Sequence, residues 1–434
     1  MKGLKLSLIV LTATLLAVGL SGMAYAFHSG GVAECGGCHS MHSPKAAGSY
    51  LLVNSDQSST CLSCHASSDP ASTSGSFSYH VMTYPVPGAG TPPMYRSPGG
   101  DFAWLLKPYT FTVRGTVTNE SGMSHGHNVV ALDFGITADN ELPQSPGGTF
   151  SSTNLGCNSC HDPHGKYRRV GNDTTYTIGP TGGPIIGSGS YATSLVPATG
   201  QAVGVYRLLA GKGYGQNNNT LLIDFPGVPI AVAPSQYNQS EATNQVRVAY
   251  GYSGTGNGKT NWGEWCGTCH GQMHSLNTGT YTHPTETNLG STIAALYGTY
   301  VSSGVMTGSA ASSYLSLVPF IENTDNIATL KGHASNLNAS LGGPGTTDKV
   351  SCLSCHRAHA SGFPEMLRWQ MEGEFITYAS GTTPVWPGTD TTPTQTQFAR
   401  GRTSAETQAA YYDRPATVFG AYQRVLCNKC HAQD

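Results

Sequence analysis

One stretch of this chain is continuously apolar, and it lies at the very start. Lys2 and Lys5 precede an apolar run from Leu6 to Leu20, and Met23-Ala24-Tyr25-Ala26 ends on the small-residue spacing that signal peptidase cuts. The pattern predicts a signal peptide over 1–26 and a mature chain over 27–434. The run is short for a bilayer span, and no later segment could cross one, so no transmembrane segment is expected after cleavage. Beyond it, hydrophobic periodicity comes only in short pieces. Tyr109-Thr-Phe-Thr-Val113 alternates and predicts a strand, and Gln245 to Tyr250 is a weaker candidate. Ser291–Val301, Ala311–Leu317 and Thr403–Tyr412 read as short helices. Between them, turn punctuation is dense: Ser97-Pro98-Gly99-Gly100 recurs as Ser145-Pro146-Gly147-Gly148, and Gly-Gly-Pro starts at Gly182 and again at Gly342. Coil should dominate.

Composition deepens the puzzle. The 434 residues include 55 Gly and 25 Pro, and charged residues are 11%, against about 25% in ordinary globular chains. Such a sequence has little side-chain material for a conventional core. A formal charge of −2 with no basic run argues against nucleic acid as a partner. A surface so low in charge also resists self-association poorly, which hints at an assembly.

The cysteines resolve the puzzle. All 12 fall into six Cys-x-x-Cys-His motifs: Cys35/Cys38/His39, Cys61/Cys64/His65, Cys157/Cys160/His161, Cys266/Cys269/His270, Cys352/Cys355/His356 and Cys427/Cys430/His431. Each is the attachment signature of a c-type haem. Two thiols three residues apart lie on one side of a helical turn, placed to add to the two porphyrin vinyl groups. The following histidine supplies the proximal ligand to the iron. A zinc ribbon or a redox disulfide needs no histidine directly after the second cysteine. Six covalently bound haem c groups follow. Burying a porphyrin contributes on the order of 10 kcal/mol, so the cofactors are expected to form the core. The 22 tyrosines would set their rings on porphyrin faces and their hydroxyls toward solvent or propionates. Motifs span the whole mature chain, so 27–434 reads as a single hexahaem domain. The expected fold class is a multihaem cytochrome c, mostly coil with short helices and few short strands wrapped around a stacked haem chain.

Sixteen histidines less six proximal ligands leaves ten for the six distal positions: His28, His42, His80, His125, His127, His164, His274, His283, His333 and His359. The supply covers bis-histidine ligation throughout. A catalytic haem keeps an open site, whereas an electron-transfer haem is closed on both faces. His42, His164 and His359 each lie three residues past a proximal histidine, tied too closely to one haem to serve it and well placed for a neighbour. His127 and His333 share an upstream Gly-His context, one ligand-supplying unit used twice. His283 is stiffened by Pro284, and His80 sits fifteen residues after His65, room enough to fold back. These seven lead; His28 and His274 follow. His125 reads as an exposed or supporting residue. Met41 and Met273, close to motifs, are the rival ligands and would raise a haem's potential.

Four stretches extend beyond the motifs themselves: Phe27 to Cys35 (FHSGGVAEC), Cys157 to Arg169 (CNSCHDPHGKYRR), Cys352 to Phe363 (CLSCHRAHASGF) and Ala421 to Ala432 (AYQRVLCNKCHA). These resemble the OmcS-like extracellular hexahaem cytochromes of metal-reducing bacteria, over essentially the whole mature chain. The resemblance implies six bis-histidine haems stacked in alternating parallel and T-shaped pairs, and polymerisation into conductive filaments. It also implies that the histidine matching His42 binds the fifth haem of a neighbouring protomer, here the haem of Cys352/Cys355/His356. His125 has no counterpart in the family, and the loops Leu51–Gln57 and Gly381–Gln395 follow it less closely.

The function expected is extracellular electron transfer without enzymatic turnover, as a homopolymer taking electrons from other cytochromes and passing them to external acceptors. The location expected is the outer surface or beyond, with the periplasm as the alternative. A soluble periplasmic shuttle is the nearer rival reading. A nitrite- or hydroxylamine-type reductase is the more distant one, because no motif carries lysine in place of histidine.

Overall fold

The computed structural model describes residues 35–45, 50–70, 79–216, 221–234, 247–252, 254, 256–274, 284–334, 342–391 and 396–431. The expected signal peptide and the candidates His28 and His283 lie outside them, and of His274 only the backbone is described. Among the described residues no helix is long and apolar enough to cross a membrane.

Coil dominates, as the pattern predicts. The alternating segment forms a strand at Tyr109–Val113 with Tyr109 and Phe111 facing inward. It pairs antiparallel with Thr116–Glu120 through a tight turn at Arg114-Gly115, where both residues have positive φ. Arg168–Gly171, Tyr176–Gly179 and Val203–Gly204 make a small antiparallel sheet. A third joins Ala231–Val232, Ala249–Gly251 and Ile321–Glu322. The weaker strand candidate therefore begins later than expected. Helices occupy Gly290–Thr299 and Ser404–Ala410, the second opened by a reciprocal capping box between Thr403 and Glu406.

Ala311–Leu317 is not a helix; only a 3-10 turn at Ala310–Ser312 forms. Its carbonyls are taken by side chains from elsewhere. Lys429 donates to Ser313 O at 2.9 Å, Tyr297 Oη to Leu315 O at 3.3 Å and Arg368 to Ser316 O at 3.4 Å. Acceptors so engaged no longer need a helical ladder.

Side chains supply more core than the composition suggests. One apolar cluster gathers Trp104, Phe111, Phe363, Trp369, Trp386 and Tyr411, among others. Trp386 stacks on Tyr411 at 4.4 Å and 11°. A second cluster packs Tyr206, Phe225, Tyr250, Trp262 and Trp265 with aliphatic neighbours. The tyrosine expectation needs correcting, because many hydroxyls point inward. Tyr297 donates to Val318 O, Tyr412 to Ser97 O and Tyr214 to Asn158 O, at 2.6–2.8 Å. They close coil segments against one another.

Scarce charges do the same work. Ten of the 22 Lys and Arg are buried among the described residues. Lys429 Nζ donates to three carbonyls, those of Tyr297, Tyr300 and Ser313. Lys107 Nζ gathers Gly88 O and Thr91 O, with Glu406 Oε1 at 2.9 Å as counter-ion. Burying a cation is costly unless a counter-ion or several hydrogen bonds offset the lost hydration, and backbone without ladders has carbonyls to offer.

Candidate haem centres

No two of the 12 cysteines are joined as a disulfide, and the motif turns are short. Cys35–Cys38 and Cys352–Cys355 are single helical turns, Cys61 and Cys64 end the helix Gln57–His65, and Cys266 closes on Trp262–Gly267. Cys157–Ser159 and Leu426–Lys429 are 3-10 turns.

Successive motifs are neighbours. Cys38 is raised by burial and then by Cys64. The Cys61 and Cys157 sulfurs are close neighbours, as are those of Cys266 and Cys352. Cys160 is pushed up to about 12 by burial and then by Cys269. Cys355 is likewise pushed up to about 12, by burial and then by Cys427 and Cys430. The motifs are thus threaded in space in their sequence order.

Each proximal ring that can be followed is oriented by a backbone carbonyl. Nδ1 lies 2.7 Å from Tyr50 O in His39, from Tyr79 O in His65, from Arg207 O in His161 and from Glu365 O in His356, and 2.9 Å from Pro146 O in His270. A carbonyl can only accept, so Nδ1 carries the proton and Nε2 is left with its lone pair for a metal.

Three of these sites share one bracket. After His39, Ser40 N donates to Leu51 O and Val53 N to Cys38 O. After His161, Asp162 N donates to Leu208 O and Ala210 N to Cys160 O. After His356, Arg357 N donates to Met366 O and Arg368 N to Cys355 O. Each bracket turns on non-glycine residues at positive φ: Leu51 (51°), Arg207 and Leu208 (both 52°), Glu365 (52°) and Met366 (58°). That conformation costs on the order of 1–3 kcal/mol per residue, and it aims the carbonyl at the imidazole. Sequence reading missed these acceptors. The visible trace is a repeated pair of apolar residues, Leu51-Leu52, Leu208-Leu209 and Met366-Leu367.

The Ser-Pro-Gly-Gly turns are also part of the cradle. Pro146 O holds His270, and a Cβ on Gly148 would sit 1.8 Å from Cys269 O. A Cβ on Gly99 would lie 2.6 Å from Nδ1 of His359. Only glycine lets the chain approach so closely.

Three of the distal candidates lie beside motif histidines. His164 faces His39 with centroids 6.4 Å apart and planes at 22°. His359 lies 6.2 Å from His161 with planes at 62°, and His127 lies 6.1 Å from His270 with planes at 43°. Imidazole binds a transition metal at about 2 Å and its centroid lies about 1 Å beyond, so two rings on one metal stand about 6 Å apart. Among the described residues no three potential metal ligands converge on one point. These imidazoles come in pairs instead, at the separation two axial ligands of one macrocycle would have. His359 is pushed down to about 3 by burial and then by His161 and His127, and burial also lowers His65 and His127. These rings are neutral, the form that binds metal. The residues present fit haem c.

His80 is buried against Tyr79 and Tyr95. Its segment folds back on the second motif, with Val81 N donating to His65 O at 2.9 Å. His333 lies in the helix Ile327–Ala334, with Nδ1 2.5 Å from Glu322 Oε2. The Gly-His repeat thus serves two different settings, since His127 Nδ1 lies 2.8 Å from Ala358 O. His42, Met41 and Met273 are exposed, and His431 follows its motif at the surface. Of the two settings expected for His125, exposed or supporting, the structure shows the supporting one. The ring is fully buried, with Nδ1 3.0 Å from Trp104 O and Nε2 2.7 Å from Glu120 Oε1. Both nitrogens are committed, so it has none for iron. Burial would raise Glu120, but Arg402 and His125 outweigh it and hold the carboxyl at about 2.

No family model matches the chain. The C-type cytochrome OmcS of Geobacter sulfurreducens is 46% identical over 450 residues, covering 100% of both chains. The chain belongs to the OmcS family of c-type cytochromes. Two solved structures agree with it: the OmcS nanowires of that organism, determined by cryo-EM (TM-score 0.82), and the outer membrane cytochrome S filament (TM-score 0.83). Each is 44% identical, and the match covers 94% of this chain and 100% of that one. The coil-rich architecture is therefore that of the OmcS family, and haem c is its covalently bound cofactor.

Proposed function

We propose that this chain carries six haem c groups in series, each iron held between two imidazoles, and that copies join end to end into an extracellular filament conducting electrons to external acceptors. Haem supplies a one-electron carrier whose potential is set by axial ligands, burial and hydrogen bonding. The chain's part is to hold the carriers in order, close both axial faces and fix the imidazole tautomers. Closed faces leave no position for a substrate, which argues against a reductase.

The observation that carries the reading is a relay among the odd-numbered motifs. Each has the sequence Cys-x-x-Cys-His-x-x-His and the same bracket. The third motif's second histidine, His164, faces the first motif's His39, and the fifth motif's His359 lies beside the third motif's His161. Continuing the series, the fifth motif's His356 takes the second histidine of the next motif of this kind. That is His42, exposed on the first motif of another copy. The remaining assignments follow by proximity: His127 to His270 and His80 to His65, with His333 and His283 as the further axial candidates. The relatives' filaments support the assembly, and the predicted leader supports export.

Haem quantification with electron microscopy of the native protein tests this. Six haems per chain, an oxidised low-spin spectrum unmoved by cyanide or nitrite, and filaments are expected. A stoichiometric high-spin haem with nitrite turnover would move the protein to the reductase class, and monodisperse monomers would make it a shuttle.

A further inference from the structure

Ring nitrogens turned away from the metal side mostly donate to backbone carbonyls: five proximal histidines and His127 all do so. His333 differs. Its Nδ1 is 2.5 Å from the Glu322 carboxylate, whose other oxygen is 2.7 Å from an Arg247 guanidinium nitrogen. Both partners are buried, with side chains 7% exposed.

This triad is rigidly built. Ile321–Glu322 pairs in parallel with Ala249–Gly251, and Tyr252 N donates to Glu322 O at 2.8 Å. The Arg247 guanidinium lies 4.8 Å from the Tyr314 ring and 4.9 Å from that of Phe320. Neither the carboxylate nor its counter-ion can swing away.

A carbonyl offers the imidazole proton a dipole; a carboxylate offers it a full charge. The proton is drawn toward the carboxylate, the ring gains imidazolate character, and its Nε2 becomes a stronger donor that favours ferric over ferrous iron. Arg247 opposes this by drawing on the same carboxylate. We propose that Glu322, acting through His333, lowers the potential of one haem below that of a carbonyl-held bis-histidine site, and that Arg247 sets how far. Glu322 is thus a positioning residue that grades the chain's potentials. The proposal rests on His333 being an axial ligand.

The test uses the full, haem-loaded protein, with spectroelectrochemical titration of all six haems and electron paramagnetic resonance of the oxidised state. Glu322→Gln should move one of the six reduction steps to higher potential and leave five in place. Arg247→Gln, which keeps the carboxylate, should move the same step lower. A tether that only supports the fold would lower thermal stability in both variants without shifting one step in opposite directions. Shifts of the same sign, or none, overturn the proposal, and the arginine variant decides it alone if the glutamate variant fails to accumulate. His333→Ala separates the underlying reading. One high-spin iron with unmoved potentials in the other variants refutes only the tuning, while six low-spin irons refute the ligand assignment and the tuning with it.

Discussion

The first and fifth motifs share a sequence pattern, a bracket and a tautomer-fixing carbonyl, yet they live in opposite surroundings. Around the first, residues 35–45 include no buried side chain. Around the fifth, Leu353, Ser354, Arg357, Ala360 and Phe363 are all buried. The residue after the proximal histidine is Ser40 in one and Arg357 in the other. Arg357 lies flat on Tyr412, 3.4 Å from its ring centroid. The closing residue of the bracket is Val53 in one and Arg368 in the other. Arg368 Nε donates to Leu353 O at 2.7 Å and His356 O at 3.1 Å. Local geometry thus comes from the motif and its bracket, while embedding comes from a few cations placed around it. A site left bare on these terms is suited to completion by another molecule.

Removing cofactors should expose this contrast most strongly. Changing Cys352 and Cys355 to Ala should cost most of the folded, secreted protein, because residues of the fifth motif pack into both apolar clusters. Changing Cys35 and Cys38 to Ala should leave a five-haem protein with a nearly unchanged melting curve. Pyridine haemochrome counts and thermal unfolding would show it, and equal losses would erase the distinction.

His42→Ala comes next. Filaments should vanish from electron micrographs while six covalent haems remain, and one iron per subunit should become high-spin. Polymers with wild-type spectra would show that the copies join elsewhere.

A smaller effect is expected at the caps. Ser351 accepts from Leu353 N, and Ser354 returns a bond to Ser351 N, a reciprocal box at the fifth motif's turn. Ser351→Ala should cost about 1 kcal/mol in chemical unfolding. No loss would place the stability of that turn in its cations.

The finest probe is Glu286, which accepts from Gly263 N at 2.7 Å beside the fourth motif. Burial, opposed by that bond and reinforced by Glu264, raises its carboxyl to about 7, with Lys349 pulling the other way. The folded state therefore holds a proton that the unfolded chain releases near pH 4.5. Its stabilising contribution is full below that point and is lost as pH rises through about 7. Glu286→Gln should raise the melting temperature at pH 8 by more than at pH 4. An equal change at both would show that the carboxyl does not titrate.

Part of this was legible from residues. Tyr109–Val113 announced itself by alternation, and spacing singled out His164, His359 and His127, whose rings stand about 6 Å from motif histidines. The partner strand Thr116–Glu120 was silent, since four of its five residues are not buried and carry no alternation. The helix expected at Ala311–Leu317 failed because distant side chains claim its carbonyls: Lys429 that of Ser313, Tyr297 that of Leu315 and Arg368 that of Ser316. The brackets were hidden for a similar reason. Arg207 and Glu365 adopt positive φ without the glycine that would mark it, and the carbonyl of Arg207 lies 46 residues from the histidine it holds. The choice between an exposed and a supporting His125 stayed open because its partners, Glu120 and the Trp104 carbonyl, meet only in the folded chain.

The burial of cations has a colloidal consequence. Ten Lys and Arg are inside, against six Asp and Glu among the same described residues. The outer face is therefore more anionic than the formal charge of −2 implies. Parallel assemblies of such chains repel one another at low ionic strength, over a range of about 30 Å in 0.01 M salt and about 8 Å in 0.15 M. Added salt or divalent cations would draw them into bundles, and iron- or manganese-bearing surfaces of positive charge would attract them along their whole length. Where such a fibre lies, and how thickly it gathers, is set by ions outside the protein.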